Sequence, residues 1–316
     1  MAGERRPVRP PGPEIRRLLC RLEVVVTRRL RGLVQGEHQG LFPGAGSEPG
    51  DSRPYVPGDD VRLIDWNVTA RTGEAHVRDP VADHELDLWL LADVSASQHF
   101  GTTTREKREV VVGLAAAFGL PATRLANRVG AVVVGGGEVA AIPASAGRTR
   151  LLALLHRVLA TPAFEGEGRT DLAAALRQLD GLARRRGVVV VISDFLCAPG
   201  WEAALGRLGV RHDLVVAEVV DPRELELPRM GVLTLVDPET GRSRTVDTSR
   251  ARLRAAFAHA ASAQRAVVAA AVARTGAHHL VVSTDADWLS EALVFFDRRR
   301  RRRAYRAAPR RDGGTR

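Results

Sequence analysis

Cysteine and lysine are scarce in this chain of 316 residues, which has two cysteines, Cys20 and Cys197, and one lysine, Lys107. The cysteines have no spacing typical of a disulfide framework or a zinc site, which favours a reducing cytosol. The apolar runs fall short of the roughly 20 residues that a membrane helix needs, and the polar, proline-rich N-terminus has no secretory signal. We therefore expect a soluble cytoplasmic protein, with peripheral attachment to a membrane as an open alternative.

Several catalytic motifs are also missing from the sequence. There is no G-x-x-x-x-G-K-[ST] loop, and Lys107 lies in the unrelated stretch TTTREKREV, so hydrolysis of ATP by the chain itself is not expected. The histidines show neither the H-x-x-x-H spacing of a zinc site nor a Ser-His-Asp arrangement. These absences favour a binding protein over an enzyme.

Positive charge is concentrated at the two ends of the chain. The formal net charge is +10, but residues 298–316 contain ten arginines and one aspartate, and residues 1–31 contain nine arginines and three glutamates. The remaining 32–297 have 28 basic and 33 acidic residues. Basic ends could hold nucleic acid, an anionic surface or an acidic partner, and the simpler alternative is a solvated terminus. We expect a basic helical segment over 1–31 and a flexible Arg-rich tail over 298–316.

Apolar runs and amphipathic segments alternate along the body of the chain. This pattern predicts a doubly wound α/β fold with a mostly parallel open sheet. The insertion at 222–247, with strand-like runs around the turn DPETG, predicts a hairpin. The predicted strands are 86–93, 129–134, 188–193, 213–220 and 278–282, and the predicted helices are 13–31, 104–126, 147–160, 170–186, 199–209 and 249–275.

The stretch LDLWLLADVSASQHF places one carboxylate and two hydroxyls directly after a predicted buried strand. Ligands of open parallel sheets bind beyond the carboxyl ends of the strands, which is where Asp93, Ser95 and Ser97 should lie. These three side chains offer only oxygen, the donor that Mg²⁺ prefers and that also suits Mn²⁺. The alternative is ordinary turn and helix-cap chemistry, for which Asp and Ser are common.

Two further positions are predicted to reach the same edge of the sheet. Thr170 opens a predicted helix and Asp194 follows the buried run GVVVVIS. Each has a local explanation as well, since Thr170 could cap its helix and Asp194 could start a turn. Together with Asp93, Ser95 and Ser97 they form a candidate metal site.

This set resembles the metal-ion-dependent adhesion site of von Willebrand factor type A domains, in which Asp-x-Ser-x-Ser, a Thr and an Asp follow in this order. The resemblance implies that Ser95, Ser97 and Thr170 give hydroxyls to the metal. It also implies that Asp93 and Asp194 coordinate the metal or hold its bound waters. The open position of such a metal accepts a carboxylate from a partner protein.

The segment GSEPGDSRPYVPGDDVRLIDWNVTARTGEAHVRD resembles the signature of the domain-of-unknown-function-58 family. The resemblance covers roughly 35–297 and implies a partner, a MoxR-type AAA+ ATPase, in systems that assemble or activate other proteins. Relatives often carry two N-terminal membrane helices, which this sequence lacks. The matching residues are Arg53, Tyr55, Gly58, Asp59, Asp60, Arg62, Ile64, Asp65, Trp66, Ala70 and Arg71.

The alternating charges of the signature can form a charge-paired layer on the sheet or a surface for a partner. Tyr55, Ile64 and Trp66 are expected to bury apolar area. We thus expect four parts: a basic segment (1–31), the signature segment packed on the core (32–85), the type A-like domain (86–297) and the tail (298–316).

The sequence favours a non-enzymatic, metal-dependent adaptor that docks an acidic residue of a partner and has no small-molecule substrate. One alternative is a degenerate adhesion fold that acts as a scaffold without metal. Another is an aspartyl-phosphate-type phosphatase with Asp93 as nucleophile. That chemistry needs a second aspartate two residues later, where this chain has Ser95.

Overall fold

The computed structural model describes residues 13–34, 52–56, 59–78, 86–102, 105–125, 127–135, 137–161 and 170–307. Strands and helices alternate along most of the chain. The strands are β1 (Ser52–Pro54), β2 (His76–Arg78), β3 (Asp87–Asp93), β4 (Arg128–Gly135), β5 (Glu138–Ser145), β6 (Val188–Ser193), β7 (Asp213–Val220), β8 (Val232–Val236), β9 (Ser243–Asp247) and β10 (His278–Ser283). The helices are α1 (Pro13–Val34), α2 (Trp66–Thr72), α3 (Lys107–Arg124), α4 (Arg148–Ala160), α5 (Leu172–Leu182), α6 (Glu202–Arg211), α7 (Pro222–Leu225), α8 (Ala251–Arg274) and α9 (Trp288–Ala307).

Six strands form the central sheet in the order β10-β7-β6-β3-β4-β5. The pairs are parallel except β4 with β5, which is antiparallel. The doubly wound, mostly parallel fold predicted from the sequence is therefore confirmed. The prediction omitted β5, which turns back from β4 through Gly137, a glycine with a φ of 74° that other residues rarely adopt.

The sheet is covered on both faces, because successive strand residues point to opposite sides. Leu88 and Leu90 of β3 join the core formed with α1, α3, α4 and α9. Trp89 and Leu91 join the second core, formed with α5, α6 and α8. All seven residues of β3 are buried, so this strand fixes the position of Asp93 at its carboxyl end.

Helix α1 confirms the helix predicted at 13–31, and it packs on the body of the protein. Leu19 and Val26 lie seven residues apart on one face of the helix and are buried in the first core. Arg29 forms an ion pair with Asp287 at 2.5 Å, and Glu23 pairs with Arg148 of α4. Ion pairs at its surface thus add to the buried apolar contacts that hold this segment on the body.

Helix α9 crosses the boundary that the sequence suggested at 297. Arg299 is 1% exposed and forms an ion pair with Asp213 at the start of β7. The expectation that a flexible tail begins at 298 is therefore wrong for this stretch, because one arginine of the run is buried and held by an ion pair within the fold. Residues 308–316 lie outside the described residues.

The described part of the signature segment forms a small unit of its own. Asp65 caps α2 by accepting from the backbone of Asn67 at 3.1 Å and Val68 at 3.3 Å, and it accepts from the Ser52 hydroxyl at 2.9 Å. Arg53 holds Asp59 through two hydrogen bonds of 2.7 and 2.8 Å.

The charged side chains of the signature segment therefore stabilise turns within that segment. Asp60 likewise caps the 3₁₀ turn Val61–Leu63 by accepting from the Arg62 backbone.

The aromatic and basic residues of this unit are more exposed than the sequence suggested. Trp66 is 71% exposed, so the expectation that it buries its area is wrong, whereas Tyr55 and Ile64 are partly buried. Arg62 and Arg71 are also exposed. The signature glycine, Gly58, lies outside the described residues.

The hairpin predicted within 222–247 is confirmed as the pair β8 and β9. Its base is fixed by Thr248, whose backbone N–H and hydroxyl both donate to the Gly231 carbonyl at 2.7 Å. The hairpin residues alternate between half-buried and exposed along β8. Within the described ranges, no helix is long and apolar enough to cross a membrane.

Candidate functional site

Asp93 lies at the carboxyl end of β3, between the parallel neighbours β4 and β6, and is 1% exposed. One carboxylate oxygen accepts from the Ser95 backbone N–H at 3.0 Å, and the other accepts from the Ser193 hydroxyl at 2.6 Å. Burial, and then the nearby negative charge of Asp194, raises the pKa of Asp93 to about 6. A cation placed here would oppose both effects.

Ser95 and Ser97 are buried side by side in the turn that follows β3, with their hydroxyl oxygens 3.1 Å apart. Ser95 precedes the 3₁₀ turn Ala96–His99, but its side chain makes no capping hydrogen bond. Capping therefore does not account for the hydroxyl of Ser95. Gly135, at the end of β4, allows this turn to approach, because a Cβ there would lie 2.6 Å from the Val94 carbonyl oxygen.

Thr170 lies just before α5, but the residue that caps the helix is Asp171. The Asp171 carboxylate accepts from the Ala174 backbone N–H at 2.7 Å, so the local expectation that Thr170 is the cap is wrong. The Thr170 hydroxyl instead donates to the Glu239 carboxylate at 2.8 Å, and its backbone N–H donates to the same oxygen at 3.0 Å.

Glu239 also contacts the turn that carries the serines, although the sequence analysis did not single it out. Its other oxygen accepts from the Ser97 backbone N–H at 3.2 Å. The carboxylate thus links Ser97 and Thr170, which shows that these two predicted site residues lie together. The available signal was an acidic residue at the tip of the predicted hairpin turn.

Asp194 follows β6, the strand next to β3, and is engaged on both carboxylate oxygens. One accepts from the Leu196 backbone N–H at 3.0 Å, and the other accepts from the Lys107 ammonium at 2.6 Å. Asp194 therefore borders the site and acts on it through charge, as its effect on Asp93 shows.

Lys107 is a fully buried cation beneath the site that sequence reasoning also missed. Its side chain is 0% exposed, and its ammonium contacts Asp194 at 2.6 Å and Glu224 at 2.5 Å. Burial alone would lower the pKa of Lys107, but the two carboxylates outweigh burial and raise it. Burial raises the pKa of Glu224 despite its contact with Lys107.

The carboxylates of the site also act on Cys197, which lies nearby. Burial, followed by the charges of Asp93, Asp194 and Glu239, raises the pKa of the neighbouring Cys197 thiol to about 12. Among the described residues, no group of three His, Cys, Asp or Glu side chains is arranged to hold a metal. The oxygens at this edge come from hydroxyls and from carboxylates, and oxygen donors fit a hard cation such as Mg²⁺.

The doubly wound sheet, with an Asp-x-Ser-x-Ser turn at its carboxyl edge, defines an open-sheet α/β domain. The chain belongs to the family described as Protein of unknown function DUF58, whose model matches residues 51–267. The match includes the signature residues from Arg53 to Arg71 and each of the five candidate site residues.

The chain is similar to the uncharacterized protein Rv1480 of Mycobacterium tuberculosis, with 44% identity over 92% of this chain and 91% of that protein. Among solved structures, an aerotolerance-related membrane protein from Bacteroides fragilis is 14% identical, with a TM-score of 0.43 over 67% of this chain and 99% of that one. A von Willebrand factor type A protein from Catenulispora acidiphila is 10% identical, with a TM-score of 0.36 over 71% of this chain and 43% of that one.

Proposed function

We propose that this protein is a non-enzymatic adaptor that binds Mg²⁺, or Mn²⁺, at the edge of the sheet and uses it to dock an acidic residue of a partner protein. The observation that supports this most is the buried pair of hydroxyls of Ser95 and Ser97 beside Asp93. The Ser95 side chain makes no helix-capping hydrogen bond that would explain its position. Thr170 lies next to this pair, since Glu239 contacts both Ser97 and Thr170.

The residues of the site divide into two groups. Ser95, Ser97 and Thr170 would hold the cation through neutral oxygens, while Asp93 and Asp194 would supply negative charge and hold bound water. A cation held mainly by neutral oxygens stays electrophilic and can accept a carboxylate from outside. Asp93 also orients the turn, because it accepts from the Ser95 backbone.

The partner that we propose is a MoxR-type AAA+ ATPase, and the shared process is the assembly or activation of other proteins in the cytoplasm. This partner is implied by the resemblance of the signature segment described above. The exposed Trp66, Arg62 and Arg71 provide a second surface that the same partner can contact. Arginines at the C-terminal end, of which Arg301 is 78% exposed, provide a contact for an anionic surface.

Replacing Asp93 with alanine should abolish metal-dependent association with the ATPase and leave the fold intact. In a pull-down with Mg²⁺, wild type should retain the ATPase, and Asp93→Ala should retain about a tenth or less. Mn²⁺ binding, followed by electron paramagnetic resonance, should weaken about 10–100-fold. Asp285→Ala is the matched control, because it removes an exposed carboxylate just beyond β10, at the same edge of the sheet.

The same experiment separates the metal-free scaffold from the adaptor. That alternative is favoured by one observation, namely that Lys107 already supplies a cation to Asp194. Equal retention of the ATPase by wild type, Asp93→Ala and wild type in chelator would establish metal-free docking. Hydrolysis of a generic phosphate ester by wild type, lost in Asp93→Ala, would instead establish the phosphatase.

A further inference from the structure

The tip of the β8–β9 hairpin places a carboxylate of the chain itself on the candidate site. Glu239 accepts from the Ser97 backbone N–H at 3.2 Å, from the Thr170 backbone N–H at 3.0 Å and from the Thr170 hydroxyl at 2.8 Å. Glu239 lies 142 residues from Ser97 and 69 from Thr170 along the chain. These contacts are therefore tertiary and depend on where the hairpin lies.

We infer that Glu239 is a tethered internal ligand that occupies the position of the partner's acidic residue, so that the hairpin keeps the site closed until the partner displaces it. This inference rests on the proposed function, because it concerns the regulation of the same site. It adds that the protein carries its own competitor for the partner.

The turn that carries Glu239 is built to present it. The Asp237 carboxylate accepts from the Glu239 backbone N–H at 3.0 Å and from the Thr240 hydroxyl at 2.6 Å. Gly241 completes the turn with a φ of 67°, in the left-handed region that glycine favours. The side chain of Glu239 therefore projects from a shaped loop.

The rest of the hairpin does not pack closely against the body of the protein. A cavity of about 650 Å³ lies between the hairpin and the body, beside the site. Its lining is mainly apolar and includes Leu196, Leu225, Leu235 and Phe257. A two-stranded hairpin is marginally stable on its own, and this one is held at its base by Thr248 and at its tip by Glu239. Releasing Glu239 would free the tip and leave the base anchored.

The cavity also indicates the chemistry of the partner. A segment that replaces the tip must offer an aspartate or glutamate to Ser97 and Thr170, and apolar neighbours to fill the adjoining cavity. A tethered competitor lowers the apparent affinity for such a segment by the fraction of time that the site is open. Removing the competitor should therefore tighten partner binding.

Hydrogen exchange in chelator tests whether Glu239 holds the hairpin. In Glu239→Ala, the amides of 232–247 and of the peptides containing Ser97 and Thr170 should exchange about tenfold faster than in wild type, because charge-assisted hydrogen bonds are lost. Glu226→Ala is the matched control, since Glu226 is exposed just beyond α7 in the same insertion, and its exchange should match wild type. Unchanged exchange in Glu239→Ala would overturn the inference.

A peptide of residues 232–247 tests whether the site recognises the carboxylate. At millimolar concentration, it should restore protection of Ser97 and Thr170 in Glu239→Ala, as expected when a tethered ligand is supplied in trans. The peptide with Glu239→Gln should not restore protection, and neither peptide should affect wild type. Failure of the unaltered peptide to protect these amides would show that Glu239 is not a ligand of the site.

The ATPase provides the last comparison. Glu239→Ala should bind it more tightly than wild type, by about five- to 150-fold, the usual range of coupling between sites. Weaker or equal binding would overturn the role of competitor. Failure of the proposed function is a separate result, because it appears as metal-independent retention by Asp93→Ala, whereas the exchange experiment needs neither metal nor ATPase.

Discussion

Replacing Lys107 with methionine should destabilise the folded protein by about 3–5 kcal/mol, the cost of breaking a buried ion pair by removing one partner. Methionine has a similar length and can fill the space, so the loss comes from charge. Asp194, whose side chain is 3% exposed, would remain buried without its cation, and Glu224 would lose the same partner. Chemical denaturation followed by circular dichroism measures the loss.

Arg124→Met, at the other end of α3, is the control for Lys107→Met. It removes the same charge from an exposed side chain, and its stability should stay close to that of wild type. Combining Lys107→Met with Asp194→Asn should recover part of the lost stability, because the second substitution removes the carboxylate that would be buried without a cation. A fully additive double variant would show that Lys107 stabilises the fold through something other than Asp194.

Ending the chain after Asp297 should destabilise the protein by about 2–4 kcal/mol, somewhat less than a fully buried pair because Asp213 stays partly accessible. The truncation removes the last turns of α9 together with Arg299, which is buried and paired with Asp213. For a chain of this size, a loss of 1 kcal/mol lowers the melting temperature by roughly 2–4 °C. Differential scanning calorimetry measures the change.

A chain that ends after Ala307 keeps α9 and should melt like the full protein. Arg299→Met should reproduce much of the loss caused by the shorter truncation. Arg301→Met should not, because Arg301 is exposed and pairs only along the helix with Asp297. If the chain that ends at Asp297 melts like wild type, the arginines beyond it contribute nothing to the fold.

The sequence predicted the central strands well because each is a short apolar run between amphipathic helices. It missed β5, since Glu138–Ser145 is half exposed and short of branched apolar residues. The sequence also predicted that Trp66 is buried, but Trp66 is exposed. The burial of apolar residues is only a tendency, and many of them remain at the surface of folded proteins. The arginine run seemed solvated because its partner, Asp213, lies far away in the chain.

The residues of the candidate site could be predicted only where they directly follow a strand of the sheet. Asp93, Ser95 and Ser97 follow one strand, and the parallel neighbour β6 brings Asp194 close by. Lys107 and Glu239 reach the same place through contacts that span 87 and 142 residues, which no local spacing reveals. The candidate donors could therefore be predicted from the sequence, whereas the contacts of Lys107 with Asp194 and of Glu239 with Ser97 and Thr170 could not.

The burial of Lys107 has a consequence for protein chemistry, since it is the only lysine in the sequence. Reagents that acylate amines should find the α-amino group and leave the folded chain otherwise unmarked. A lysine-specific protease has a single cleavage site, and that site lies at the first residue of α3 in the core. The rate of cleavage at this bond should therefore report how often α3 and its surroundings open, which makes digestion a one-site assay of unfolding.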